Sequence, residues 1–237
     1  MERYSNTKRT MVKVLSKSQV NCYLDCPYKW KKIYIDKIKS LPSPAQARGI
    51  RIHNKVENFY KQSNVHDKLD KVQDEELKHF VEFEKRRIKE MVKEGKIDQK
   101  YFYPIFQELR MSNEDIGLKG ICDAIYINPK DDELIMIDWK TGKYYPNKFD
   151  SYRFELAVYA ELFNHSGKSD QKVKYIGIYF TDQDKLFFEE LKQETIDKMY
   201  QTVNQAREDM KKDIQEPKKN TWCWNCQFRR ECGVFRR

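Results

Sequence analysis

Between Leu118 and Lys143 the chain alternates with the period of a β-strand, yet it places acids where a buried strand normally carries none. Side chains on a strand repeat every two residues. The run Leu134–Lys140 therefore sets Asp138 and Lys140 side by side at its end, before Thr141-Gly142 breaks it. In Leu118–Ile127, alternation puts Asp123 on the face of Ile121, Ile125 and Ile127. An ionised carboxylate among apolar neighbours is costly unless something pairs with it, and a divalent cation is one good partner.

The flanking pattern predicts what surrounds these strands. A strand over Phe102–Met111 carries Glu108, and Asn128-Pro129-Lys130-Asp131-Asp132 reads as a turn, so three strands form an antiparallel meander. Residues 1–15 read as a short arm or edge strand, and 41–44 as a loop. Ser16 or Ser18 caps a helix reaching Leu24, and Pro27 kinks it or opens the next. Helices follow over Ala45–Lys61, with His53, Val56, Glu57 and Tyr60 on one side, and over 73–94 and 149–164. Strands Val173–Phe180 and Leu186–Leu191 and a helix Glu194–Lys212 complete an α/β fold, a central mixed sheet flanked by helices. At 237 residues, such a chain can bury a substantial core without disulfides.

Lys plus Arg number 46 against 37 Asp plus Glu, a formal charge of +9 that suits a polyanion such as nucleic acid. The N-terminal residues lack the apolar core of a signal peptide, and no segment approaches the roughly 20 apolar residues of a membrane span. The expectation is a cytoplasmic protein with no membrane association. Six cysteines in a reducing compartment read as free thiols or metal ligands. Cys223-x-x-Cys226 and Cys232 supply three ligands for zinc or an iron–sulfur cluster, the fourth coming from elsewhere; spacing does not choose between them. Cys122 reads as packing behind Asp123. Tyr28-Lys29-Trp30-Lys31-Lys32-Ile33-Tyr34 suits base stacking and phosphate neutralisation, or a helix whose Trp30, Ile33 and Tyr34 are core.

His53, Glu108, Asp123, Asp138 and Lys140 together offer hard oxygens, an imidazole and an ammonium. That set suits Mg²⁺ or Mn²⁺ and a phosphodiester. Gly49-Ile-Arg-Ile-His53, Gly120-Ile-Cys-Asp123, Ile137-Asp138-Trp139-Lys140-Thr141-Gly142 and Glu155-Leu-Ala-Val-Tyr159 resemble, in this order, the motifs of RecB-type nucleases of the PD-(D/E)XK superfamily. The resemblance implies a restriction-endonuclease-like core. In it, His53, Asp123, Asp138 and the Trp139 backbone carbonyl would hold the metal, and Lys140 would act on the nucleophilic water. Glu108 matches an acidic position on the preceding strand. Glu155 stands where the family usually has Gln, with Tyr159 matching, and both are candidate DNA contacts.

Cys26-Pro27-Tyr28 resembles the early cysteine segment of the family's iron–sulfur members, the AddB-type nuclease subunits and the CRISPR-associated exonucleases. This implies a 4Fe-4S cluster on Cys26, Cys223, Cys226 and Cys232, with Cys22 as the substitute ligand. Trp222 and Trp224 would shield it, while Lys29, Arg229 and Arg230 would touch DNA. The expected organisation is one nuclease domain, 1–237, with a core at 45–212 and an iron–sulfur region of 16–40 and 213–237. The expected function is exonucleolytic cleavage of single-stranded DNA or DNA ends in recombination, repair or CRISPR adaptation, with a helicase or adaptation protein as partner. The rival is a catalytically idle DNA-binding or adaptor module with a structural zinc or iron–sulfur site.

Overall fold

A computed structural model describes residues 13–40, 42–61, 69–212 and 214–234. The expected arm at residues 1–12 and the loop residue Leu41 lie outside the described residues. The meander is present: β2 (Phe106–Asn113), β3 (Leu118–Ile127) and β4 (Leu134–Lys140) pair antiparallel. Residues 99–102 form a short helix, so Phe102 belongs to that helix and not to the strand expected over Phe102–Met111. Asp98 caps it, its carboxylate accepting the Lys100 N–H.

β4 also pairs in parallel with β5 (Val173–Phe180), which takes β6 (Lys185–Glu190) antiparallel, so the sheet is mixed. A parallel pair needs a crossover, supplied here by the helix Phe149–Asn164. β1 (Leu15–Ser16) adds two residues beside the start of β3.

Two apolar layers sandwich the sheet. On one face, Ile52, Val56 and Phe59 of the helix Pro44–Lys61 pack with Phe80 and Phe83 of the helix Lys78–Lys93, against Ala124, Tyr126, Ile137 and Trp139. On the other, Leu156, Ala160 and Phe163 pack with Met199 and Val203 of the helix Gln193–Lys211 and with Val20 of the helix Lys17–Asp25. Pro27 opens the next helical turn at its first position, where a missing N–H costs nothing. Trp30 there is buried against Tyr23.

A second expectation is overturned. Ile125 does not share a face with Asp123: Cys122 and Ile125, three residues apart, both pack in the layer of Leu156, Ala124 lies in the layer of Ile52 and Val56, and Asp123 turns to His53. The departure from alternation coincides with Glu108, opposite on β2, whose φ of 46° is left-handed. Such a backbone is uncommon for a residue with a Cβ and breaks the pleat locally.

Candidate active site

Each functional side chain is fixed by the element that carries it. His53 sits on the helix Pro44–Lys61, one residue after the buried Ile52 and three before the buried Val56, so its ring is directed to the sheet. Its Nδ1 lies 3.5 Å from Asp123 Oδ1 and 3.7 Å from Glu108 Oε1. Ligand atoms of His53, Glu108 and Asp123 all fall within 4.8 Å of one another. Burial lowers the basicity of His53, but the two carboxylates outweigh it and lift the imidazole to about 10. The imidazole nitrogen with two carboxylate oxygens is a donor set that a hard divalent cation accepts.

Asp123 occupies a gap in the sheet. β3–β4 pairing reaches Ala124 and Ile137 and goes no further, and the Trp139 N–H donates to Asp123 Oδ2 at 2.7 Å. A residue's N–H and C=O leave a strand on the same edge, so the Trp139 carbonyl faces this opening. The Lys140 carbonyl, on the opposite edge, accepts from the Thr181 N–H at 2.9 Å.

Asp138 and Lys140 share a face, as their spacing requires, and Lys140 Nζ stands 2.6 Å from Asp138 Oδ2. That oxygen is buried, with the Lys140 ammonium as its ion-pair partner. Burial, reinforced by Glu155 and Asp123, pushes the Asp138 carboxyl above the usual carboxylate range despite Lys140. Lys140 is held charged, because Asp138 and Glu155 outweigh the cost of its burial. Asp138 is not one of the three residues gathered around His53; it adjoins them across the opening through Asp123 and Trp139. A buried carboxylate beside that trio also fits a cation.

Glu155 is buried and faces inward. It lies 3.1 Å from Lys140, accepts the Tyr159 hydroxyl at 3.1 Å, and pairs with Lys17. Burial alone would raise its carboxyl, but Lys140 and Lys17 lower it. The Tyr159 ring packs closely on β3 because residue 120 is Gly: a Cβ there would meet the ring at 2.6 Å. Sequence reasoning missed Lys17. Its only local signal is the Ser16 cap that fixes it at the helix start.

The first helix meets the segment 214–220. Tyr23 OH donates to the Ile214 carbonyl, Lys218 Nζ to the Leu24 carbonyl and Asn220 Nδ2 to the Asp25 carbonyl, each at 2.8 Å. Cys26, Cys223, Cys226 and Cys232 line one cavity, with Lys29 and Arg229 at its wall. Among the described residues, no three cysteine sulfurs lie within 4.8 Å of one another. Cys22 does not line this cavity, and burial pushes its thiol up to about 11. Cys122 is fully buried. The expected shielding by tryptophans fails at Trp224, which is 65% exposed and lies over the Arg229 guanidinium. Trp222 borders the cavity yet remains 57% exposed. Arg230 is exposed.

Comparison with known proteins adds two findings. Residues 14–233 match the sequence profile of the PD-(D/E)XK nuclease superfamily. A solved structure described as "Crystal structure of SSO0001" is similar over 93% of this chain and 85% of its own, at 14% identity and a TM-score of 0.47. No curated protein matches the sequence.

Proposed function

The chain belongs to the PD-(D/E)XK nuclease superfamily, and from that premise we propose that it is a Mg²⁺- or Mn²⁺-dependent DNA exonuclease acting on single strands or free ends. The observation that carries this reading is the meeting of His53, Glu108 and Asp123 with the Asp138–Lys140 pair at one opening in the sheet. His53, Asp123, Asp138 and the Trp139 carbonyl would hold the cation, with Glu108 completing the set. When bound, the cation polarises the phosphodiester and acidifies the attacking water. Lys140 orients that water and offsets charge developing on the phosphate oxygens. Asp138 and Glu155 keep the Lys140 ammonium charged and in place. A catalytically idle module would have no need to bury so many charges around one opening.

Residues 45–212 form the nuclease core in this reading, and 16–40 with 213–237 the iron–sulfur region. Four cysteines around one cavity supply the four thiolates that a 4Fe-4S cluster takes. Free thiols and cluster assembly point to the cytoplasm; among the described residues no helix is long and apolar enough to cross a membrane. Lys29, Arg229 and Arg230 would guide DNA past the cluster region. Such an activity serves recombination, repair or CRISPR adaptation, beside a helicase or adaptation protein.

The test is degradation of end-labelled single- and double-stranded DNA with Mg²⁺, Mn²⁺ or EDTA, wild type against Asp138→Ala. Stepwise loss from the labelled end by the wild type alone is expected. Equal cleavage by both proteins overturns the assignment.

A further inference from the structure

Four charged side chains alternate in sign through the interior: Asp138, Lys140, Glu155 and Lys17. Their side chains are 5%, 23%, 7% and 18% exposed. Lys140 contacts Asp138 on one side and Glu155 on the other, and Glu155 reaches on to Lys17. Lys17, Lys140 and Glu155 line one cleft of about 940 Å³. The row sums to zero charge, which burial demands.

Lys17 is held there by its neighbours. Leu15 is fully buried and its N–H donates to the Gly117 carbonyl at 3.0 Å, tying the segment to the start of β3. Ser16 then caps the helix reciprocally with Gln19, fixing Lys17 at the first helical position. Position 17 is thus set by strand pairing and a capping box before its side chain makes any contact.

We propose that Lys17 is a positioning residue for Lys140, acting through Glu155: it supplies the second positive charge that Glu155 requires, so that Glu155 does not draw Lys140 away from Asp138. Without Lys17, the buried Glu155 carboxylate has, among the described residues, only Lys140 as a cationic partner. Lys140 then sits between two competing acids and leaves the place where it meets the attacked phosphate. Without the Glu155 charge, Lys17 and Lys140 face each other unscreened, and like charges in a buried setting repel strongly. Each loss is harmful alone, and the two together restore balance.

This inference rests on the nuclease reading, and the experiment separates the two. Steady-state cleavage of a labelled single-stranded oligonucleotide with Mn²⁺ is measured for wild type, Lys17→Met, Glu155→Gln and the double variant. Thermal melts confirm folding, and Lys17→Arg serves as the charge-conserving control. The expected result is a fall in kcat of about tenfold or more in each single variant, with KM within about twofold. The double variant returns to within about threefold of wild type, and Lys17→Arg stays near wild type. A wild type without activity removes the nuclease reading and this inference with it. An active wild type with an unimpaired Lys17→Met, or with a double variant no better than the worse single, overturns this inference alone. Should Lys17→Met not fold, Glu155→Gln and the double variant still decide: a double variant slower than Glu155→Gln refutes the compensation, and a faster one supports it.

Discussion

Asp123 accepts the Trp139 N–H at 2.7 Å where β3 and β4 cease to pair, so one carboxylate both closes a gap in the sheet and faces His53. A metal ligand in this position is oriented by the backbone of the neighbouring strand.

Two substitutions separate these roles. Asp123→Asn retains a carbonyl oxygen for the Trp139 N–H and loses the charge beside His53. It should fold with stability near wild type and lose Mn²⁺ affinity by calorimetry. Asp123→Ala leaves a buried N–H unpaired and should cost about 1–3 kcal/mol in urea unfolding. Equal stability of the two variants would remove the structural half of the role.

Glu108 holds a φ of 46°, a conformation that costs a residue with a Cβ of order 1 kcal/mol, while its carboxylate approaches His53 at 3.7 Å. Glu108→Gly relieves that strain and removes the carboxylate. Its stability should match or exceed wild type by up to about 1 kcal/mol, whereas Mn²⁺ affinity and cleavage should fall. A clear loss of stability would show that Glu108 is retained for packing.

The bounds of the strands that carry Asp123 and Asp138 were legible, because their apolar runs and the turn at Asn128–Asp132 are local signals. So was the adjacency of Asp138 to Lys140, which strand spacing alone dictates. The left-handed Glu108 was not legible, since a glutamate gives no sign of positive φ, and the face of Ile125 was misread with it. Lys17 was illegible for another reason. It begins a short polar helix, and only the folded chain brings it to Glu155. Phe102 was misread because the aromatic run Tyr101-Phe102-Tyr103 suits helix and strand alike, and the Asp98 cap decided it.

Asp182 joins the helix bearing His53 to the loop after Lys140. Arg48 donates to both its oxygens at 2.8 Å, and the Gly142 N–H donates to Oδ2 at 3.0 Å. Gly142 has a φ of 103°, so the loop turns there only with glycine. Hydrogen bonds from Arg48, with the Gly142 N–H, hold the Asp182 carboxyl below its ordinary value. A depressed carboxyl stabilises the fold above its unfolded pKa, and the benefit is lost as pH falls through the folded value. Asp182→Asn should therefore be less stable than wild type at pH 7 by roughly 0.5–1 kcal/mol, the pair being partly solvated. The difference should shrink as pH drops below about 4, the ordinary carboxylate range. Urea melts at both pH values measure it; a constant difference would deny the ion pair its part.

The cysteines make a prediction about ligand choice that needs no DNA. Burial pushes the Cys22 thiol up to about 11 and leaves Cys122 at about 12, so neither forms an appreciable thiolate at pH 8. Cys26, Cys223, Cys226 and Cys232 instead open onto a shared cavity. Iodoacetamide at pH 8 on cluster-free protein should label these four and spare Cys22 and Cys122, as read by peptide mass spectrometry. Anaerobic reconstitution with iron and sulfide should then protect the same four and give a brown protein with broad absorbance near roughly 400 nm. Protection of Cys22 in place of Cys26 would transfer the fourth ligand one helical turn back. Because the helix that carries Cys22 and is capped by Cys26 also begins with Lys17, that transfer would move the cluster's anchor toward the charge row that steadies Lys140.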